Sequence, residues 1–169
     1  HGVAGRRQGP SMKALAIRRY RAPLEIMELP RPEPGPGELL VRVRAAGVNP
    51  VDYKIRDGAV KVLLPFSFPL TLGTDLAADV QAIGPGVTGF EPGDAVYSRL
   101  DNDRIGAFAE YALVRESAAA RKPASLDYVQ AAALPLVGLT AWQTLIDLAR
   151  LQSGQKVLIH AGSGGVGTF

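Results

Sequence analysis

The sequence predicts a mainly β fold with short helices: a curled or barrel-like antiparallel unit, then helical segments, then one strand running into a glycine-rich loop. Three observations carry this. The chain holds 19 glycines and 13 prolines among 169 residues, about 19% against roughly 12% in average usage, so it is cut by turns. Between those turns lie five or six short apolar runs, spaced as in small antiparallel barrels. After residue 123 the apolar period becomes helical, and the chain ends on a compact apolar run followed by glycines. A content of 47% hydrophobic and 21% charged residues belongs to a chain that folds.

The elements follow in order. Residues 1–11 (HGVAGRRQGPS) are polar and glycine-rich and precede Met12; they read as a leader or ragged end outside the fold. Residues 12–19 and 24–29 are strand candidates around a turn at 21–23. Residues 30–37 (PRPEPGPG) form a connector whose prolines cannot sit inside a ladder. In residues 39–46 (LLVRVRAA), Val41 and Val43 alternate with Arg42 and Arg44, the mark of a half-buried strand. Asn49 can cap a short helix with Pro50 at its first position and Gly58 at its end, which puts Asp52 and Tyr53 on the first turn. Pro65 and Pro69 make residues 61–72 an irregular buried loop. Strands follow at 76–83, 95–98 and 107–114, with Gly84, Gly86, Gly93 and Gly106 at turns or bulges. Residues 126–134 and 140–149 are helix-like, separated by Pro135 and Gly138, with Asp127 or Ser125 as the first cap. This divides the chain into 1–11, an antiparallel domain at 12–124, and linking helices with the start of a second domain at 125–169.

Charge and composition exclude several functions. The formal charge is +3, but Arg6 and Arg7 lie in the leader, and no basic stripe remains to recognise nucleic acid. No apolar run approaches the ~18 residues of a membrane span. With no cysteine and two histidines, disulfides, iron–sulfur clusters and thiolate zinc sites are ruled out.

One segment carries a mechanism. Gly162, Gly164 and Gly167 form G-x-G-x-x-G after the run 156–160 (KVLIH). Small residues there let backbone N–H groups approach a pyrophosphate at a helix N-terminus, and Ser163, Gly165 and Val166 complete the loop. Val166 is expected in a helix–sheet interface. The competing reading is an ordinary strand-to-helix turn. The residue ~20 positions on that distinguishes NAD from NADP lies past Phe169, so the chain reads as a piece of a longer protein.

Five ordered blocks carry a more specific resemblance: PGPGELLVRVRAAGVNPVDYKIRDG, LGTDLAADVQAIGPGVTGFEPGDAVY, GAFAEY, LPLVGLTAW and KVLIHAGSGGVG. Their order resembles the medium-chain dehydrogenase/reductase superfamily, and within it the zinc-free quinone oxidoreductase and enone reductase group. The resemblance implies a GroES-like partly open barrel followed by the first strand and phosphate loop of an incomplete Rossmann domain. It implies hydride transfer from NADPH to a quinone or to the C=C bond of an activated enone, with no metal. Where zinc-dependent relatives carry a cysteine, this chain reads Ala45-Ala46-Gly47-Val48-Asn49.

By the same resemblance, Asn49, Tyr53 and Thr140 line the cleft where nicotinamide meets substrate, with Tyr53 and Asn49 as catalytic candidates. Asn49, Thr140 and residues 162–167 are the coenzyme-binding candidates. Each has a plainer alternative: a helix cap for Asn49 and Thr140, a core-edge tyrosine for Tyr53. Asp52 is expected to make a structural hydrogen bond and Asp75 to organise the loops around the cleft. Trp142 and His160 are expected to be packing residues, and Lys54 and Arg56 exposed helix charges. Relatives carry glycine where this chain has Ala78, so a small backbone shift is expected there. The resemblance further implies a homodimeric, cytoplasmic parent acting on a small molecule, with the isolated 169 residues inactive. The alternatives are a non-catalytic GroES-like binding or scaffold module, and an enoyl reductase domain of a polyketide-type synthase.

Overall fold

The first two apolar runs pair with each other. In the computed structural model, which describes residues 9–169, β1 (Ser11–Ile17) lies antiparallel between β2 (Glu25–Pro30) and the short β4 (Leu70–Thr71). The second sheet is also antiparallel, in the order β7-β3-β5-β6-β8, from β3 (Glu38–Gly47), β5 (Asp75–Ile83), β6 (Ala95–Arg99), β7 (Tyr111–Arg115) and β8 (Ala119–Arg121). Residues 107–110 join the two sheets. Leu15 N–H donates to the Phe108 carbonyl at 2.7 Å, and Val43 N–H donates to the Glu110 carbonyl at 3.0 Å. The result is a partly open barrel, mainly β with short helices, as the turn spacing predicts.

The alternation in β3 decides its orientation. Leu39 and Val41 point into a core with Leu76, Val80, Val96 and Val114, while Arg42 and Arg44 face outward. Each such side chain contributes roughly 1.5–3 kcal/mol relative to exposure. A second cluster, Ile17, Ile55, Leu70 and Leu72, fixes α1 (Pro50–Arg56) beside the smaller sheet. Gly84 is needed for close approach, since a Cβ there would lie 1.8 Å from the Gly35 carbonyl oxygen. Ala78 pairs with Val43 and Val96; of the two register shifts between β3 and β5, one adjoins this pair, with the extra residue, Arg44, on the partner strand.

The helices follow the expected caps but not all the expected bounds. Asp127 caps α2 (Tyr128–Ala132), accepting the Gln130 N–H at 2.8 Å. Its alanines then pack on the outer face of β5. Pro135 opens α3 (Pro135–Trp142), which runs through Gly138 and continues as a π-helical stretch, Gln143–Leu148. Proline is well suited to a first helical turn and a single glycine is tolerated inside a helix, so neither breaks it.

Four expectations are corrected. Residues 156–160 form no strand, because no other described strand lies alongside and an unpaired strand leaves its backbone groups unsatisfied. His160 and Trp142 are exposed, not packed, since the layer that a paired strand at 156–160 would add is absent from this arrangement. Ser11 is already paired with Pro30 in β1, so the leader does not reach residue 11; its residues 1–8 lie outside the described residues. The strand expected at 107–114 begins at Tyr111 because residues 107–110 cross between the two sheets.

Candidate functional site

The site is built where β3 ends. Gly47 pairs with Asp75 at the start of β5, and a Cβ on Gly47 would lie 2.5 Å from the Ala132 carbonyl oxygen. The backbone at Asn49 is extended, and Pro50 opens α1. Asp52, on the first turn, turns back to accept the Asn49 N–H at 2.7 Å, satisfying one donor at the helix start. The Asn49 carboxamide is turned elsewhere. Its nitrogen donates to Asp75 Oδ2 at 3.0 Å and approaches Thr74 Oγ1 at 3.4 Å.

Asp75 Oδ2 also accepts the N–H of Leu136, in the first turn of α3, at 3.0 Å. One carboxylate oxygen therefore couples Asn49, 26 residues before it, to the start of α3, 61 residues after it. Asp75 is 1% exposed and Asp52 3% exposed, and the Oδ1 atom of each has no hydrogen-bond partner among the described residues. Burial raises the pKa of both above the ordinary carboxylate range. For Asp75, the Leu136 N–H, the Asn49 amide and Arg99 oppose that rise, and Asp52 adds to it. For Asp52, the Asn49 N–H and the Thr74 hydroxyl oppose it.

Above this cluster lies a cleft of about 670 Å³ whose walls include Asn49, Asp75, Leu136, Thr140, Gly165 and Val166. Asn49, Thr140 and two residues of the glycine loop thus share one cavity. Thr140 lies in the middle of α3 and its hydroxyl donates to the Leu136 carbonyl at 2.6 Å, so it is not a cap: the helix starts five residues earlier, at Pro135. Val166 faces the cleft and is 40% exposed, not buried between helix and sheet. Tyr53 is 52% exposed and is not among the residues lining this cleft. Asp52, and not Tyr53, is the first-turn side chain turned inward, because it closes the cap. Gly164 and Gly167 border a neighbouring cavity of about 350 Å³ together with His160.

A Cβ on Gly167 would lie 2.4 Å from the Ala161 carbonyl oxygen, so the loop closes tightly on itself, whereas a Cβ on Gly162 would meet nothing within 4 Å. Among the described residues no three His, Cys, Asp or Glu side chains converge as a metal site would require. No helix of the described residues is long and apolar enough to cross a membrane.

Two features were not read from the sequence. The Asp75–Leu136 hydrogen bond spans segments whose proximity no local pattern reveals. The second is an outer-face network in which Asp79 accepts from Arg44 at 2.6 Å and from the Tyr128 hydroxyl. Burial works to raise the Asp79 pKa, but these two donors outweigh it and hold the carboxyl below its ordinary value. The signal available was the arginine-rich outer face of β3, where Arg42 pairs with Asp79 and Arg44 lies two residues on.

Comparison with known proteins agrees with this architecture. The family model described as "Alcohol dehydrogenase GroES-like domain" matches residues 35–124. A quinone-oxidoreductase homolog, chloroplastic, from Spinacia oleracea is 40% identical over 151 residues, covering 86% of this chain and 46% of the relative. Among solved structures, an alcohol dehydrogenase superfamily protein from Novosphingobium aromaticivorans aligns with a TM-score of 0.87 at 43% identity, covering 93% of this chain and 48% of the other. The quinone oxidoreductase from Coxiella burnetii aligns with a TM-score of 0.86 at 36% identity, covering 94% and 51%. The chain spans about half the length of the curated relatives it matches.

Proposed function

This chain belongs to the alcohol dehydrogenase GroES-like domain family, and on that premise we propose that it forms the substrate-side half of an oxidoreductase. The reaction is reduction of a quinone, or of the C=C bond of an activated enone, by NADPH. The observation that carries this reading is the shared cleft: Asn49, Thr140, Gly165 and Val166, distant in sequence, border one cavity of about 670 Å³.

Residues 162–167 would hold the pyrophosphate through backbone N–H groups, and Asn49 and Thr140 would border the nicotinamide end. When bound, NADPH is the source of the hydride. The protein's own contribution is position. Asp75 holds the Asn49 carboxamide and the start of α3 in one arrangement, so the cleft walls contributed by α1 and α3 keep a constant separation. Asp52 fixes the Asn49 backbone. Hydride addition to an enone leaves an enolate, and the exposed setting of Thr140 and Val48 allows water to deliver the proton that completes the reduction. Tyr53, the donor expected from the sequence, takes no part in this scheme, because its side chain lies outside the cleft wall.

The test is NADPH oxidation by this chain expressed with the sequence that continues it in its gene, against a panel of quinones and enones. Turnover is expected with at least one class, and Asn49→Ala is expected to reduce it. Coenzyme binding without turnover on either class would overturn the proposal. The 169-residue chain alone is expected to show no turnover, because residues 156–160 are not built into a sheet beneath the loop.

A further inference from the structure

The segment after α1 ends in an exposed apolar tip. The turn is closed by the Lys61 N–H to the Gly58 carbonyl at 3.3 Å and by the Leu64 N–H to the Val60 carbonyl at 2.8 Å. Its crest presents Val62 and Leu63, which are 88% and 82% exposed. The base of the segment is anchored. Tyr20 stacks edge-on against Phe68 at 4.9 Å, and the Phe66 N–H approaches the Tyr20 hydroxyl at 3.4 Å.

That anchor brings a second, basic segment alongside. The Arg21 N–H donates to the Arg56 carbonyl at 2.8 Å, so the turn carrying Arg18, Arg19 and Arg21 borders the helix carrying Lys54 and Arg56 and the tip carrying Lys61. The acids in these segments other than the buried Asp52 are Glu25, paired with Arg18, and Asp57, paired with Arg56. Arg19, Arg21, Lys54 and Lys61 remain unbalanced around two neighbouring aliphatic side chains.

We propose that this tip and its cationic border form a docking surface for an anionic lipid bilayer, with Val62 and Leu63 entering the interface while the cations face lipid headgroups. A nucleic acid would use the charges but gain nothing from an aliphatic crest, whereas a bilayer interface satisfies both. The proposal stands independently of the oxidoreductase reading, since it concerns a different surface and needs no coenzyme.

The experiment is co-sedimentation of the chain with vesicles of mixed phosphatidylcholine and phosphatidylglycerol at low ionic strength, compared with phosphatidylcholine alone. Binding is expected only to the anionic vesicles, and it is expected to weaken as salt is added. Lys54→Gln with Lys61→Gln is expected to lower the partition coefficient about 25-fold, or roughly fivefold per cation. A Leu63→Trp, Trp142→Phe variant reports insertion at the tip, through a blue shift and quenching by brominated lipid. This separates the tip from the exposed apolar residues near the carboxyl end, which the variant leaves in place. Absence of binding to anionic vesicles would overturn the proposal. So would binding without a blue shift at position 63, or equal binding to an RNA by the wild type and a Val62→Ser, Leu63→Ser variant that also retains full vesicle affinity.

Discussion

Removing the Asp75 carboxylate should loosen the join between α1 and α3. In Asp75→Ala, the Leu136 N–H and the Asn49 amide, each 3.0 Å from Oδ2, lose their acceptor at a position that is 1% exposed. Hydrogen bonds to a charged group contribute about 1.5–3 kcal/mol each. Relief from burying a carboxylate offsets part of that loss, leaving a net cost of about 2–4 kcal/mol. For a domain of this size, that corresponds to a fall in Tm of roughly 4–16 °C. Asp75→Asn keeps an acceptor and should cost less, about 1–2 kcal/mol. The pair of variants also fixes the sign of a pH effect. The folded-state pKa of Asp75 is raised by burial, so the folded chain binds more protons than the unfolded chain between the ordinary carboxylate pKa and the raised one. Stability from this group is therefore present at low pH and lost as pH rises through that window. The wild type's advantage over Asp75→Asn should accordingly narrow from pH 4 towards neutrality. Thermal melts followed by circular dichroism across that range measure both quantities. An Asp75→Ala melt within 1 °C of wild type, or an advantage that widens with pH, would refute the reasoning.

Two smaller perturbations test neighbouring parts of the argument. Gly84→Ala places a Cβ 1.8 Å from the Gly35 carbonyl oxygen, a backbone clash that no rotamer relieves; a loss of about 3 kcal/mol or more is expected in urea titration. Thr140→Val removes only a hydroxyl that donates back to Leu136, a contact that contributes little within a helix. Its melt should stay within a few degrees of wild type, while coenzyme affinity of the gene's full product should fall. A large drop in Tm with unchanged affinity would assign Thr140 a structural role instead.

Most of the barrel was legible because its signals are local. The Val41, Val43 alternation with Arg42 and Arg44 states which face of β3 is buried, and Asn49-Pro50 with Asp52 states where α1 begins, since strand faces and helix caps depend on residues within one turn of each other. Asp127 before Tyr128 does the same for α2. The ordered blocks likewise identified the family, which the match over residues 35–124 bears out.

What depends on distant partners was misread or missed. Residues 156–160 have the composition of a buried strand, yet a strand exists only where another pairs with it, and none does among the described residues. Tyr53 and Asp52 are adjacent on the same helix turn. Their different fates follow from Asp52 closing the cap and lying buried beside Thr74, while Tyr53 is turned outward. The sequence by itself determined which face of β3 is buried and where α1 and α2 begin, because these follow from the period of two along a strand and from residues within one turn of a helix start. Only the tertiary structure decided that Asp75 should hold Asn49 and Leu136 together, because it takes the antiparallel closure of β3 on β5 and the packing of α2 against them to bring those three residues within hydrogen-bonding distance.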